Sequence, residues 1–341
     1  MSPPLEPMSP PLEPMSSSAP VLSVRDLHVT YRNAGGSVPA VRGIDLDVHT
    51  GETVGVAGES GCGKSTMAMA LLRLLPPGTT TEGQILLDGE DVLTMRAGRL
   101  RAVRWSAASI VFQGAQHALN PVQRVGEQIT EAIKVHRVKG TTAGGLLELV
   151  GLTPRRSQDY PHELSGGQKQ RVMIAMALAC DPRLLIADEP TTALDVMVQA
   201  QVLGLLEQIQ AERGLATVFI THDLSVLGAV ADRLAVMYAG RIVEAGPTAA
   251  LLRDPKHPYT RALSEAFPTI GDPASRFAPS GLPGDPPDPT AVPAGCPFHP
   301  RCPLAFEACA TIDVELRPAG ESEATDRQAA CLLVPSPAGA S

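Results

Sequence analysis

Four things are missing from this sequence of 341 residues. No apolar run reaches the roughly 18 residues that a membrane-crossing helix needs, so no such helix is expected. The start lacks a basic stretch followed by an apolar one, which argues against a secretory leader. Positive charge is not in excess: 28 Lys and Arg stand against 36 Asp and Glu, a net charge of −8. An acidic chain is a poor match for a polyanion, so nucleic acid is not expected as the main partner. Finally, the six cysteines include no C-x2-C pair of the kind that builds common zinc ribbons.

What remains is a globular composition, 44% hydrophobic and 19% charged, long enough for two domains. The first twenty residues contain MSPPLEP twice in tandem, rich in Pro and Ser with nothing to bury, and are expected to be a disordered tail. Alternation over 21–29 and 41–48 predicts two half-buried strands around the turn-rich tip NAGGS at 33–37. An apolar run at 53–57 leads to a helix over 64–75 that Pro76 and Pro77 end. From about 105 to 180 the period is mostly helical, with breaks at Pro121, Gly140, Pro154 and Pro161. The runs 184–187 and 216–220 read as buried parallel strands around a helix at 196–213, with further strands at 234–238 and 242–244. Strands alternating with helices make an α/β domain with a mainly parallel sheet. After about 255 the composition shifts, and from 268 to 303 Pro is dense and periodicity fades; such a tail needs more than a core of its own to hold it.

Three strings carry chemistry. GESGCGKST at 58–66 fits a phosphate-binding loop between a strand and a helix. Gly58, Gly61 and Gly63 let successive N–H groups, those of Ser60 and Cys62 among them, turn toward one anion, and the helix N-terminus adds its positive end. Lys64 supplies a full charge for the β- and γ-phosphates, Ser65 a hydroxyl for Mg2+, and Thr66 a contact near the α- or β-phosphate. LLIADEP at 184–190 ends a strand in two acids. Asp188 stands where ligands bind in open α/β sheets and suits Mg2+, and Glu189 suits polarisation of an attacking water. LSGGQ at 164–168 opens a Gly-rich helix, a second anion site on a separate element. Together the two glycine-rich sites point to a nucleotide sandwiched between two subunits.

These strings resemble the ATP-binding subunit of an ATP-binding-cassette (ABC) transporter. GESGCGKST is similar to the family's Walker A, LLIADEP to its Walker B and LSGGQKQR to its signature. The resemblance runs from about 21 to 254. It implies a D-loop in TTALD with Asp195, a switch histidine in His222, a Q-loop glutamine in Gln113 and an adenine-stacking aromatic in Tyr31. Gln113 would touch Mg2+ or the lytic water, and His222 the γ-phosphate and Glu189. Ser165, Gly166, Gly167 and Gln168 would contact ATP held by a partner subunit. GAQHALNP, after Gln113, departs from the acidic, Pro-containing segment often found there. The implied fold is a P-loop cassette over 21–255, with a parallel-sheet core, an antiparallel β subdomain, a helical subdomain at about 105–180, and a small Pro/Cys-rich extension over 256–341.

HPYTRAL at 257–263 and GCPFHPRC at 295–302 resemble the peptide-importer branch, which serves oligopeptides, dipeptides or nickel. Cys296, Cys302, Cys309 and Cys331 could hold a 4Fe–4S cluster or a tetrahedral Zn2+, or remain free; the resemblance implies the 4Fe–4S cluster in a structural role. Cys62 and Cys180 read as packing residues. The implied function is ATP hydrolysis that powers peptide import, with nickel or another small solute as the alternative. The implied partners are a second, related cassette subunit, two membrane permease subunits and, indirectly, an extracytoplasmic solute-binding protein, at the cytoplasmic face of the membrane. Two other readings compete with it. A non-transport ABC ATPase usually carries a coiled-coil insertion or two cassettes in one chain, absent here; an ATP-binding scaffold would be favoured by loss of Glu189 or His222, both present.

Overall fold

The computed structural model describes residues 19–33, 36–114, 118–192, 194–266, 282, 284–319 and 326–335. The tandem repeat at 1–14, part of the 33–37 tip and most of the Pro-dense stretch before 282 lie outside the described residues.

Two sheets organise the chain. The smaller is antiparallel, with strand order β2-β1-β4-β5. It is built from β1 (Leu22–Asn33), β2 (Gly36–Val48), β4 (Thr80–Leu87) and β5 (Glu90–Asp91). Both strands of the β1–β2 hairpin run further toward the tip than alternation alone predicts. The register slips between Val24 and Leu27, where Asp26 adopts φ 46, so Val24, Leu27 and Val29 all still reach the core. β4 was not anticipated: its first five residues are polar or half-exposed, and only its last three give an apolar signal.

The larger sheet has the order β11-β12-β10-β9-β3-β8-β7-β6. Its parallel centre comprises β3 (Thr53–Ala57), β6 (Ala108–Val111), β7 (Leu184–Asp188), β8 (Ala216–Ile220) and β9 (Arg233–Tyr238). Every residue of β3, β7 and β8 is buried, which is why these strands read as largely apolar runs. β6 falls in the stretch expected to be mostly helical; at four residues it is too short for a period of two to stand out. β10 (Arg241–Pro247) runs antiparallel to β9. The short strands β11 (Arg317–Pro318) and β12 (Gln328–Ala329) extend the same edge, so this part of the tail belongs to the main sheet. β3 sits between β8 and β9, and the sequence order reverses there, opening a crevice at the strands' C-terminal ends.

The helix that leaves β3, α1 (Lys64–Leu71), is one turn shorter than expected. The chain departs at Leu72 and Arg73, the latter at φ 49, and Arg104 donates to the carbonyls of both residues, capping the early end. Between β6 and β7 lie α3 (Val125–Val135), α4 (Ala143–Leu149) and α5 (Gly166–Ala177). α3 buries Val125, Ile129, Ala132 and Ile133, one face at helical spacing. After β7 comes α6 (Val196–Arg213), and α9 (Pro258–Ala266) begins the C-terminal part. Among the described residues no helix is long and apolar enough to cross a membrane.

Candidate functional site

The phosphate loop lies where the crevice opens. Gly58 has φ 154 and Gly63 φ 107, a region L side chains rarely adopt. A Cβ at Gly58 would stand 2.3 Å from the Met237 carbonyl oxygen, and one at Gly63 2.3 Å from that of Ala40. Only glycine lets the loop pass so close to β9 and β2. Gly63 then serves as the left-handed N-cap of α1, aiming the helix's free N–H groups at the crevice. Lys64 is 5% exposed, and its Nζ donates to the carbonyls of Gly58 (2.7 Å) and Glu59 (2.9 Å). Ser65 Oγ donates to Asp188 Oδ1 at 3.2 Å, and Tyr31 Oη to Thr66 Oγ1 at 3.1 Å. Cys62 is buried, which pushes its thiol pKa up; it packs rather than reacts.

Asp188 closes β7 and is 4% exposed. Burial, with Glu189 beside it, raises its pKa, against the pull of Ser65 and Lys64. The donors gathered here are oxygens: the Ser65 hydroxyl, one carboxylate and the Gln113 side chain. That set fits Mg2+, which takes one or two carboxylates and completes its shell with water and phosphate.

Glu189 follows at φ 47, an uncommon backbone for this residue, fixed by its N–H donating to the Ile220 carbonyl at 2.9 Å. Three side chains meet its carboxylate. Gln113 Nε2 donates to Oε2 at 2.7 Å, Thr192 Oγ1 donates to the same oxygen at 2.8 Å, and His222 Nδ1 lies 3.3 Å from Oε1. Gln113 comes from the end of β6, His222 from the end of β8, and Thr192 from the loop after β7. The sequence alone does not single out Thr192, although TTALD lies only one residue, Pro190, beyond the two acids.

A cavity of about 500 Å³ joins these groups, with Lys64, Ser65, Thr66, Gln113 and Glu189 on its polar side. Tyr31 lines it too, as do Pro286, Pro287, Pro289 and Val292 from the C-terminal part. The proline run was visible in the sequence, but nothing local tied it to a loop more than two hundred residues earlier.

The glycine-rich helix start is placed elsewhere. Ser165 caps α5 with its Oγ accepting from Gln168 N–H at 3.3 Å, and Gln168 Oε1 accepts from Ser165 N–H at 3.0 Å. A Cβ at Gly167 would meet Val198 at 2.3 Å, so the first turn of α5 packs against α6. Asp195 caps α6 by accepting from Val198 N–H at 3.0 Å. Neither Ser165, Gly166, Gly167 and Gln168 nor Asp195 lines the cavity.

The metal expectation for the tail is corrected. All six cysteines are free, and among the described residues no group of three or more His, Cys, Asp or Glu is arranged to hold a metal ion. Cys296 and Cys302 pack against the main core, whereas Cys331 sits in a separate small cluster with Ala319, Ala329 and Val334. The gap the four tail cysteines border is about 20 Å³, room for about one water and not for a 4Fe–4S cube. Burial, with the neighbouring tail thiols adding to it, raises the Cys296 thiol to about 11 and lifts Cys302 and Cys331 as well. Neither the 4Fe–4S cluster nor its zinc alternative is retained.

Comparisons with known proteins fit this geometry. The ABC transporter family model matches residues 41–192, and the model of the oligopeptide/dipeptide transporter C-terminal region matches residues 243–309. The dipeptide transport ATP-binding protein DppD of Bacillus subtilis is 43% identical over 298 residues, covering 85% of this chain and 88% of that protein. A putative peptide import ATP-binding protein of Brucella melitensis is 43% identical over 314 residues, covering 86% of this chain and 92% of that protein. The oligopeptide transport ATP-binding protein OppD of Mycobacterium tuberculosis is 46% identical over 323 residues, 92% of this chain; the chain spans about half, 52%, of that relative's length. Among solved structures, the dimeric ATP-binding cassette MJ0796 bound to ADP and Pi aligns with a TM-score of 0.60 at 28% identity, over 67% of this chain and 98% of that one. The ABC transporter component cbiO1 of Clostridium perfringens aligns at 0.58 and 29% identity, over 69% of this chain and 91% of that one.

Proposed function

This chain belongs to the ATP-binding subunits of ABC transporters, in the branch that carries the oligopeptide/dipeptide C-terminal region, and on that footing we propose that it hydrolyses ATP to drive the import of peptides. The observation that carries the ATPase reading is the convergence of Gln113, Thr192 and His222 on Glu189 at the edge of the Lys64 cavity. The peptide reading rests on the relatives' names and on the match over 243–309.

In this reading the glycine cradle and Lys64 hold the β- and γ-phosphates, with the N–H groups of Ser60, Gly61, Cys62 and Gly63 and the Thr66 hydroxyl completing the grip. Ser65, Asp188 and Gln113 are the residues that would hold Mg2+, which when bound neutralises phosphate charge. Tyr31 and the prolines that line the same cavity offer flat apolar surfaces to the base. Glu189 accepts a proton from the attacking water. Gln113 and Thr192 fix the carboxylate's direction, and His222 donates toward the γ-phosphate as its charge grows.

The signature residues stand apart from this cavity, as they would if they served a partner's nucleotide. Ser165, Gly166, Gly167 and Gln168 would present an α5 N-terminus to ATP held by a second cassette subunit, with Asp195 bracing the same interface. That subunit is expected to be a related chain, and closure of the pair would move two permease subunits at the cytoplasmic face of the membrane, fed by an extracytoplasmic solute-binding protein. Affinity capture of the full chain from membranes, followed by ATP-dependent uptake of labelled peptide by the reconstituted assembly, tests this. Capture of permeases and uptake of peptide are expected. Capture of ribosomes or DNA in their place, or uptake that ignores peptide, would overturn it.

A further inference from the structure

Glu59, the second residue of the phosphate loop, is a variable position in the loop pattern and carries no phosphate-binding role there. In this molecule its side chain and its backbone N–H are both tethered from the far end of the chain. Both its carboxylate oxygens accept from Arg301, 242 positions away: Nη1 to Oε2 at 2.7 Å and Nη2 to Oε1 at 3.0 Å. Its backbone N–H donates to Tyr259 Oη at 2.9 Å, while its carbonyl accepts from Lys64 Nζ at 2.9 Å. Glu59 also lines the cavity.

Arg301 is held as firmly as it holds. Its side chain is 7% exposed, its guanidinium lies 5.9 Å from the ring centroids of both Tyr238 and Phe298, and it also donates to Tyr238 Oη at 3.3 Å. Tyr238, Tyr259 and Phe298 pack together with centroid separations of 4.6, 5.3 and 5.4 Å. One aromatic cluster therefore joins the end of β9, the start of α9 and the cysteine-bearing segment, and its charged tip grips the loop.

We propose that Arg301 is a positioning residue for nucleotide: it fixes the phosphate loop through Glu59 and cancels a carboxylate that would otherwise face the incoming triphosphate. The idea rests on the reading that residues 58–66 bind ATP. It makes the C-terminal part a component of the binding site and not an appendage. A planar bidentate fork suits this task, and a point charge does not reproduce it. With Arg301 removed, Glu59 would stand beside Lys64 as a competing anion, and the loop would lose one of its two anchors from the C-terminal part.

The test is calorimetric titration of the full chain with Mg·ATP for wild type, Arg301→Met, Arg301→Lys, Glu59→Gln and Glu59→Gln/Arg301→Met. Arg301→Met is expected to raise Kd roughly tenfold or more. Arg301→Lys should fall between it and wild type. Adding Glu59→Gln to Arg301→Met should recover a large part of the loss, because the uncompensated charge is gone. A purely structural Arg301 would lower the thermal midpoint without this charge rescue. Should Arg301→Met not fold, the Arg301→Lys arm decides. An unchanged Kd in the folded Arg301 variants, or a loss that Glu59→Gln leaves untouched, overturns the proposal. Failure of the wild-type chain to bind Mg·ATP at all would instead overturn the ATP-site reading beneath it.

Discussion

Gln113 and Glu189 stand 76 positions apart in the chain, yet Gln113 Nε2 donates to Glu189 Oε2 at 2.7 Å. The bond joins the ends of the neighbouring strands β6 and β7. It ties the residue that leads into the helical region to the proposed general base. A change in either partner's position is therefore felt by the other.

Glu189→Gln keeps the size of this side chain and removes its basicity. Gln113, Thr192 and His222 would then face an amide that cannot take a proton from water. Hydrolysis is expected to fall by about 10²- to 10⁴-fold, the usual contribution of a positioned base. Binding of Mg·ATP should persist, because Lys64, Ser65 and the glycine cradle are untouched. Phosphate release measured beside ATP binding checks this; turnover within a few-fold of wild type would remove Glu189 from the role.

The phosphate loop, the buried strands and the two acids at the end of β7 are legible because each rests on local chemistry. A strand buried along its whole length is built mostly of apolar residues, and a loop position where a Cβ would stand 2.3 Å from a neighbour's carbonyl oxygen must be glycine. β4 and β6 were not legible, the first because half of it faces solvent and the second because it is only four residues long. The tail shows the other limit. Four cysteines close in sequence look like a ligand set, and the fold does bring them to one gap, but that gap is only about 20 Å³ and among the described residues no group there is arranged to hold a metal ion. Spacing records how far apart residues are along the chain, not the geometry that tertiary packing gives them. The placement of Pro286 and Pro287 in the same cavity as Tyr31, and of Arg301 on Glu59, is tertiary in the same sense.

Arg327 and Glu244 secure the tail to the main sheet. Glu244 is 0% exposed, and Arg327 Nη2 approaches its Oε1 at 3.2 Å. The backbone N–H groups of Lys256 and His257 donate to the two Glu244 oxygens at 2.9 Å each, and Arg327 also donates to the Asp254 carbonyl. Arg327→Met would leave a carboxylate buried without its counter-charge. A loss of about 3–5 kcal/mol in unfolding free energy is expected, read from urea denaturation. Adding Glu244→Gln to that variant should recover part of the loss. A midpoint unmoved by Arg327→Met would show that the backbone donors alone suffice.

His257 makes stability depend on pH. It is 1% exposed, and its Nδ1 accepts from Tyr259 N–H at 3.1 Å. Burial lowers its pKa from the ordinary 6.5 to about 4, so the folded chain holds the imidazole neutral where the unfolded chain would protonate it. Between those values the unfolded state binds the extra proton. The contribution is complete above pH 6.5, declines as pH falls, and is lost once pH passes below about 4. At 1.36 kcal/mol per unit, the window is worth about 3 kcal/mol. His257→Asn keeps an acceptor for the Tyr259 N–H and removes the titration. Carboxylates titrate alike in both proteins, so the difference between their stability–pH curves isolates His257. The wild-type curve should fall more steeply between pH 6.5 and 4, by about that amount, in urea denaturation at fixed ionic strength. Parallel curves would mean that the imidazole is protonated as readily inside the fold as outside it.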